Sequence, residues 1–496
     1  MKKAVASLLA ALSISAFAAW DRVGSLQVAD VAAQGEAAAK VGQMIGNPFA
    51  AAALAAALAD LPTVKFFGPA REKATVLVPL FLDTKEAAKD PADALDDLEY
   101  AVLYPMSISK EEFLKRHEGA FETNGVVVVK GDLSGEDEDE EKTYVVFSKD
   151  GKWAGASDDV EQVKLALADV KVAEKPLKGE VARLRVGPKA VKAIVDAVKA
   201  SAKEMTPEDK AALEALKSFA VGLKVSDLGV DMNCSVSFAD GSEFTKVGLK
   251  PLGADPFAFA DKSVLAASVK AEDAGNNDIM TDKKWNDLLA VLKKHGVDIS
   301  TFVARNKAGV AETYVLDIAA LAKYVTENTE TLAKVDSDKL VEEVGKIGEG
   351  EKFAAKAPAY AGALSVKGFE SQWKIGERFA ATLPEAAGRK PFYVYFCSVS
   401  SFFKAIAPHA LAQVPEEQRA AMKPVVDTFA VETKTGIAGM MWRPKEGGSI
   451  RLTLRLSADE IRGVGGIVGA AMSFSSALNA AGASDADEDD DGDDED

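Results

Sequence analysis

Histidine and cysteine are nearly missing from this chain, which has three and two of them in 496 residues. His117, His295 and His409 are far apart, and each falls near the end of a predicted helix, where a cation satisfies the terminal carbonyls without any catalytic duty. No HExxH, no Cys/His ligand spacing and no Walker loop occurs. No zinc centre, phosphate cradle, catalytic residue or cofactor is therefore assigned. Cys234 and Cys397 are too few for a disulfide framework. They lie in apolar strand-like runs, MNCSVSF and FYVYFCSVS, so two separately buried thiols are expected, with a single bridge as the alternative in an exported chain.

A basic excess is missing as well. The formal net charge is −18, and its location matters more than its size. Glu136 to Glu141 is a run of acids, and ten of the last twelve residues, Asp485 to Asp496, are acidic. These sixteen account for all but about two of the net charge, so the body is almost neutral and carries no basic stripe for nucleic acid. The tail reads as a disordered, solvated segment with weak, diffuse Ca²⁺ binding at most, because its spacing departs from an EF-hand loop.

Long apolar runs are the third absence. The stretch from Ala4 to about Ala19 is shorter than the roughly 20 residues a membrane-spanning helix needs. It has instead the three-part layout of a secretory leader, with Lys2-Lys3, an apolar run, and Ala16-Phe17-Ala18 before Ala19. Residues 1–18 are expected to be a signal peptide, retention as an anchor being the alternative. The Val464 to Leu478 stretch is too short and too rich in Gly and Ser for a span. No stable transmembrane segment is expected after cleavage.

The hydrophobic fraction is 48%, ample for real cores. Single cores stop growing at about 250–300 residues, so a chain of this length divides. Residues 19–61 are Ala-rich and read as helical, from Ser25 onward, with a second helix after Pro48. From Ala74 the pattern becomes strand-like: ATVLVPLFL, then EYAVLYPM, then a helix Ser109–His117 capped by its serine. GVVVVK and TYVVFS read as a hairpin whose tip holds the acidic run. KWAGA is a further strand, and Ser157 is expected to cap the helix DDVEQVKLALADV. Its context, GASDD, lacks the flanking glycines of a nucleophile elbow. GVGGIVG at 463–469 likewise lacks the strand that a dinucleotide fingerprint requires.

Comparing the chain with itself gives the architecture. Residues 182–250 and 392–456 share ordered landmarks: Lys192-Ala193-Ile194 with Lys404-Ala405-Ile406, Pro207-Glu208 with Pro415-Glu416, and Phe219-Ala220-Val221 with Phe429-Ala430-Val431. Gly229 answers to Gly439. The expected fold class is α+β: two pseudo-equivalent domains, 62–258 and 259–458, of antiparallel sheet packed with helices. A C-terminal helix, 459–482, and the acidic tail from 483 follow.

The leader, the strand followed by DGKWAGASDDVEQVKLAL and the duplicated block resemble uncharacterised exported bacterial proteins of duplicated α+β build. The resemblance is one of layout over most of the mature chain. It implies no activity and carries no functional residue. The expectation is a periplasmic or secreted, non-enzymatic protein that binds a partner protein or an envelope ligand. A cleft between like domains would hold it, with Trp373, Arg378 or Arg443 as lining candidates. An envelope assembly factor, or a hydrolase built from dispersed carboxylates, are the alternatives.

Overall fold

The computed structural model describes residues 20–46, 62–83, 98–131, 142–175, 177–201, 207–274, 280–347, 359–429, 431–444 and 448–465. The expected signal peptide, the helix after Pro48, both acidic runs and most of the C-terminal helix lie outside the described residues. Helices and sheet make an α+β protein. The chain forms two compact units. The first takes its described residues from Met1–Gly42, Pro48–Val247 and Arg443–Thr453, the second from Gln43–Asn47, Gly248–Trp442 and Leu454–Asp496.

In the first unit the chain runs β1 (Asp21–Val28), α1 (Val31–Ile45), α2 (Pro62–Phe67), β2 (Val76–Leu82), β3 (Glu99–Tyr100) and β4 (Val102–Pro105). Then come α3 (Lys110–Arg116), β5 (Phe121–Thr123), β6 (Val126–Lys130), β7 (Lys142–Phe147), β8 (Trp153–Ser157), α4 (Val160–Leu167) and α5 (Val170–Ala173). It closes with β9 (Glu180–Val186), α6 (Pro188–Ser201), α7 (Pro207–Ala215), β10 (Leu216–Ser226) and β11 (Gly229–Phe238). Neighbours in the sheet run β5-β6-β7-β8-β4-β2-β1-β9-β10-β11, all antiparallel. Gly155 lets α4 lie close on β8, since a Cβ there would stand 3.0 Å from Val163. One core gathers Phe67, Tyr104 and Phe113 against Val127 and Val145. The Tyr104 hydroxyl is satisfied by the Gly68 carbonyl at 2.7 Å.

Two expectations are corrected here. Asp21–Val28 is a strand, not the start of a helix. It pairs with β2 on one side and β9 on the other, and two ladders outweigh the weak helical preference of a short segment. The cap of α4 is Asp159, which accepts from the Glu161 N–H. Ser157 instead ends β8, 1% exposed, and donates to Gln162 Oε1 at 2.7 Å.

The second unit runs β12 (Val264–Lys270), α8 (Asp282–Lys294), β13 (Val303–Ala308), β14 (Ala311–Leu316), α9 (Ile318–Glu327), α10 (Thr329–Leu332), α11 (Ser337–Gly345) and β15 (Tyr360–Val366). It continues through α12 (Ile375–Thr382), α13 (Ala386–Arg389), β16 (Tyr393–Cys397), α14 (Val399–Gln413), α15 (Glu416–Phe429) and β17 (Ile437–Trp442). β18 (Ser449–Ser457), whose residues up to Thr453 belong to the first unit, and a helical stretch at 458–465 follow. Its sheet order is β13-β14-β15-β12-β16-β17. The expected wholly antiparallel sheet is corrected by one pair: β14 and β15 are parallel. Parallel neighbours need a long crossover, and α9, α10 and α11 supply it. One sheet face packs Val264, Ala267, Val394, Phe396 and Met440 under Ile375, Phe379 and Leu383. The other lays Leu265 and Val366 against Ile318 and Ala405.

The order strand, helix, helix, strand, strand occurs twice along the chain, as β9-α6-α7-β10-β11 and β16-α14-α15-β17-β18. The landmarks of the sequence comparison follow this order only in part. Lys192–Ile194 and Lys404–Ile406 lie in α6 and α14, but Phe219–Val221 is in β10 whereas Phe429 ends α15.

Candidate functional site

Helix α12 organises the most site-like region of the second unit, because its two sides do opposite things. Phe379 and, just past the helix, Leu383 join the core, and with Gly376 and Ala380 they wall a pocket of about 530 Å³. Its other walls are the loop from Leu252 to Phe257 and the residues around α13, including Pro384, Ala387 and Pro391. The loop is pinned by the Leu252 N–H donating to the Pro391 carbonyl at 2.8 Å.

Among the described residues, two ionisable side chains line this pocket, Asp255 and Lys390. Lys390 follows α13 in the left-handed conformation (φ +52°), exposed and without an ion-pair partner among the described residues. Asp255 Oδ1 sits where a Cβ on Gly376 would stand 3.3 Å away, beside the first turn of α12. A pocket of this size, mostly apolar with a few polar groups at fixed places, falls within the roughly 300–1,000 Å³ of small-molecule sites.

The opposite side of α12 is buried and polar. Arg378 is 0% exposed; its Nη2 donates to Ser401 Oγ at 2.7 Å and to the Thr433 carbonyl at 2.9 Å. Its guanidinium lies over the Phe396 ring at 5.3 Å, and Nε and Nη1 have no hydrogen-bond partner among the described residues. Burial pulls its pKa below the ordinary guanidinium value, while Glu432 and Glu460 oppose that pull. Ser398 caps α14, accepting from the Ser401 N–H at 3.2 Å. Glu460 takes the Ser400 N–H and hydroxyl at 2.8 Å each and the Thr433 hydroxyl at 3.1 Å.

Glu432 accepts from Ser371, from the Gln372 N–H at 3.2 Å and from Lys404 at 3.0 Å. Burial alone would raise its pKa, but the Ser371 and Lys404 bonds with the backbone bond hold it below the ordinary carboxylate value. Ser400, Ser401 and Glu460 are all 0% exposed, so no substrate reaches them. The cluster is a lock. It fixes α12, the first turn of α14 and the 458–465 helix to one another, and so makes the pocket wall rigid.

The three lining candidates separate. Arg378 turns into the lock, away from the pocket lining. Trp373 precedes α12 rather than lying in it, with its N–H on Ser371 Oγ at 3.1 Å. Arg443 belongs to the first unit and donates to the carbonyls of Phe244 and Val247. Lys390 and Asp255 were not singled out by sequence; an X-Pro-flanked loop and a Gly-Arg-Lys step after a short helix are the only local signals.

His117 and His295 are the C-caps of α3 and α8 through their backbone N–H groups; the His117 ring reaches the Phe66 carbonyl of α2 at 2.9 Å, and the His295 ring lies 3.5 Å from Glu343. Cys234 and Cys397 are free, half-buried thiols, both pushed up by burial. Among the described residues no three His, Cys, Asp or Glu gather as metal ligands, and no helix is long and apolar enough to cross a membrane. Compared with protein-family models, curated proteins and solved structures, the chain matches none.

Proposed function

We propose that this is an exported, extracytoplasmic, non-enzymatic binding protein whose second unit holds an amphipathic small ligand: an apolar body among Phe379, Ala380 and Leu383, with an anionic group on Lys390. The observation that carries the reading is the pocket itself, mostly apolar and lined by one cation, Lys390, and one anion, Asp255, that have no ion-pair partner among the described residues. Export rests on the leader at residues 1–18. A duplicated origin of the two units is part of the proposal and is supported by the recurring order of five elements.

Titration of the mature chain with dodecanoate and with dodecanol tests it. Dodecanoate is expected to bind and to raise the melting temperature, by an amount equivalent to about 2.7 kcal/mol at a hundred times its dissociation constant. Dodecanol should bind at least tenfold more weakly, because it leaves Lys390 unpaired. No binding of either sinks the reading. Equal binding of both removes Lys390 from it.

A further inference from the structure

The first unit carries a second, chemically opposite surface. Across β1, β9, β10 and β11 one face of the sheet is polar from strand to strand. Ser25 pairs with Arg185, Arg185 with Ala220 and Ala220 with Ser235; one step along, Gln27 pairs with Arg183, Arg183 with Gly222 and Gly222 with Asn233. The reverse face is the apolar one, with Val186, Leu184 and Phe219 packed under α6. A polar sheet face is ordinary where it meets water. Three further observations set this one apart.

Both strands that border the concavity carry bulges that bring side chains to the polar face. In β1 the register slips between Arg22 and Gly24, so Arg22 faces the same way as Ser25. In β10 it slips between Leu216 and Ser218, so Leu216 joins the apolar core while Ser218 lies opposite Ser237. The result is a concavity of about 520 Å³ lined by Arg22, Ser25, Arg185, Ser218, Ser235 and Ser237. Next, Ser25 is only 5% exposed as a residue and lines this concavity, with no side-chain hydrogen bond to a described residue. Lastly, the charges do not cancel. Arg183 is paired with Glu180 and Arg22 with Asp169, but Arg185 is exposed and has no partner among the described residues.

We propose that this face binds a tetrahedral oxyanion, a phosphate or sulfate group, with Arg185 and Arg22 on the charge and the Ser25, Ser218, Ser235 and Ser237 hydroxyls donating to its oxygens. The chemistry is that of surface oxyanion sites generally: one or two guanidinium forks supply charge and fork geometry, and hydroxyls fill the remaining acceptor directions. Gly187 and Ala220 keep the floor low enough for the anion to approach the sheet. Asp169 is paired to Arg22 and lies next to this anion, which leaves Arg185 as the dominant cation. The site is independent of the apolar pocket in the second unit.

Calorimetric titration of the full chain with inorganic phosphate, sulfate and glycerol phosphate tests the proposal. Saturable binding is expected for the wild type, weakened about tenfold or more in Arg185→Gln, since a hydrogen-bonded charge pair is lost. Arg185 is exposed, so this variant should keep the wild-type melting temperature, and Ser235→Ala, equally stable, should weaken binding by a smaller factor. Tighter binding of glycerol phosphate than of free phosphate would place the anion on an esterified envelope component, and the reverse order would make it a free ion. Absence of saturable binding to all three anions would overturn the proposal, as would Arg185→Gln binding as tightly as the wild type.

Discussion

Gly248 shows how much a single position decides. It holds φ at +72°, and a Cβ there would stand 2.2 Å from the ring of Phe392, a residue only 2% exposed. Gly248→Ala should destabilise the second unit by about 3 kcal/mol, from backbone strain and overpacking together, and chemical denaturation will read it. Glu460→Ala strips partners from Ser400 and Thr433 inside the lock; the expected loss is again about 3 kcal/mol. Glu432 brings a pH dependence. Its folded pKa is depressed, so its stabilisation is present above the unfolded value of about 4.5 and fades as pH falls through the folded one. Glu432→Gln should flatten the acid limb of a stability–pH curve, and an unchanged limb would remove Glu432 from this account. These residues were hard to read from sequence. Arg378 was recognised as notable, but a lone Arg in a helix gives no sign of which side chains on distant segments will meet it.

Elements were more legible than sites. Strands at GVVVVK and TYVVFS, and the Ser109 cap of α3, follow from alternation and cap chemistry, which act within a few residues. β1 was misread because its own residues are indifferent; its neighbours on both sides make it a strand. The parallel pairing of β14 with β15 was equally invisible, since nothing local distinguishes a strand's direction. At β14 the Glu312 carboxylate accepts from Arg305 at 2.6 Å, Tyr314 at 2.8 Å and Tyr360 at 3.0 Å. Burial, then this hydrogen bond, pushes Tyr314 up to about 12. Its folded pKa is raised, so the stabilisation is whole below about 10 and is lost as pH rises toward 12. Tyr314→Phe should therefore weaken the alkaline fall in stability, which a pH series of thermal melts will detect.

At the scale of the molecule, an element order recurs along the chain and the two units carry different surfaces: an apolar pocket in the second, a polar sheet face in the first. The α+β class was legible because helical and strand-like patterns alternate along the sequence. The surfaces were not, because each is assembled from residues scattered over long stretches of chain. The 458–465 helix belongs to the lock through Glu460, whereas the acids from Asp485 onward stand outside this account. Removing 485–496 should leave stability and ligand binding unchanged, and removing everything after Ser457 should unfold the second unit at lower temperature. The central claim is that the α12 pocket is where this protein binds, and Ala380→Trp addresses it most directly. Ala380 is exposed on the pocket wall, so an indole there fills the pocket without entering the core. Calorimetric titration with dodecanoate should show saturable binding to the wild type and none to an equally stable Ala380→Trp variant; identical binding curves, or no binding to either, would contradict the account.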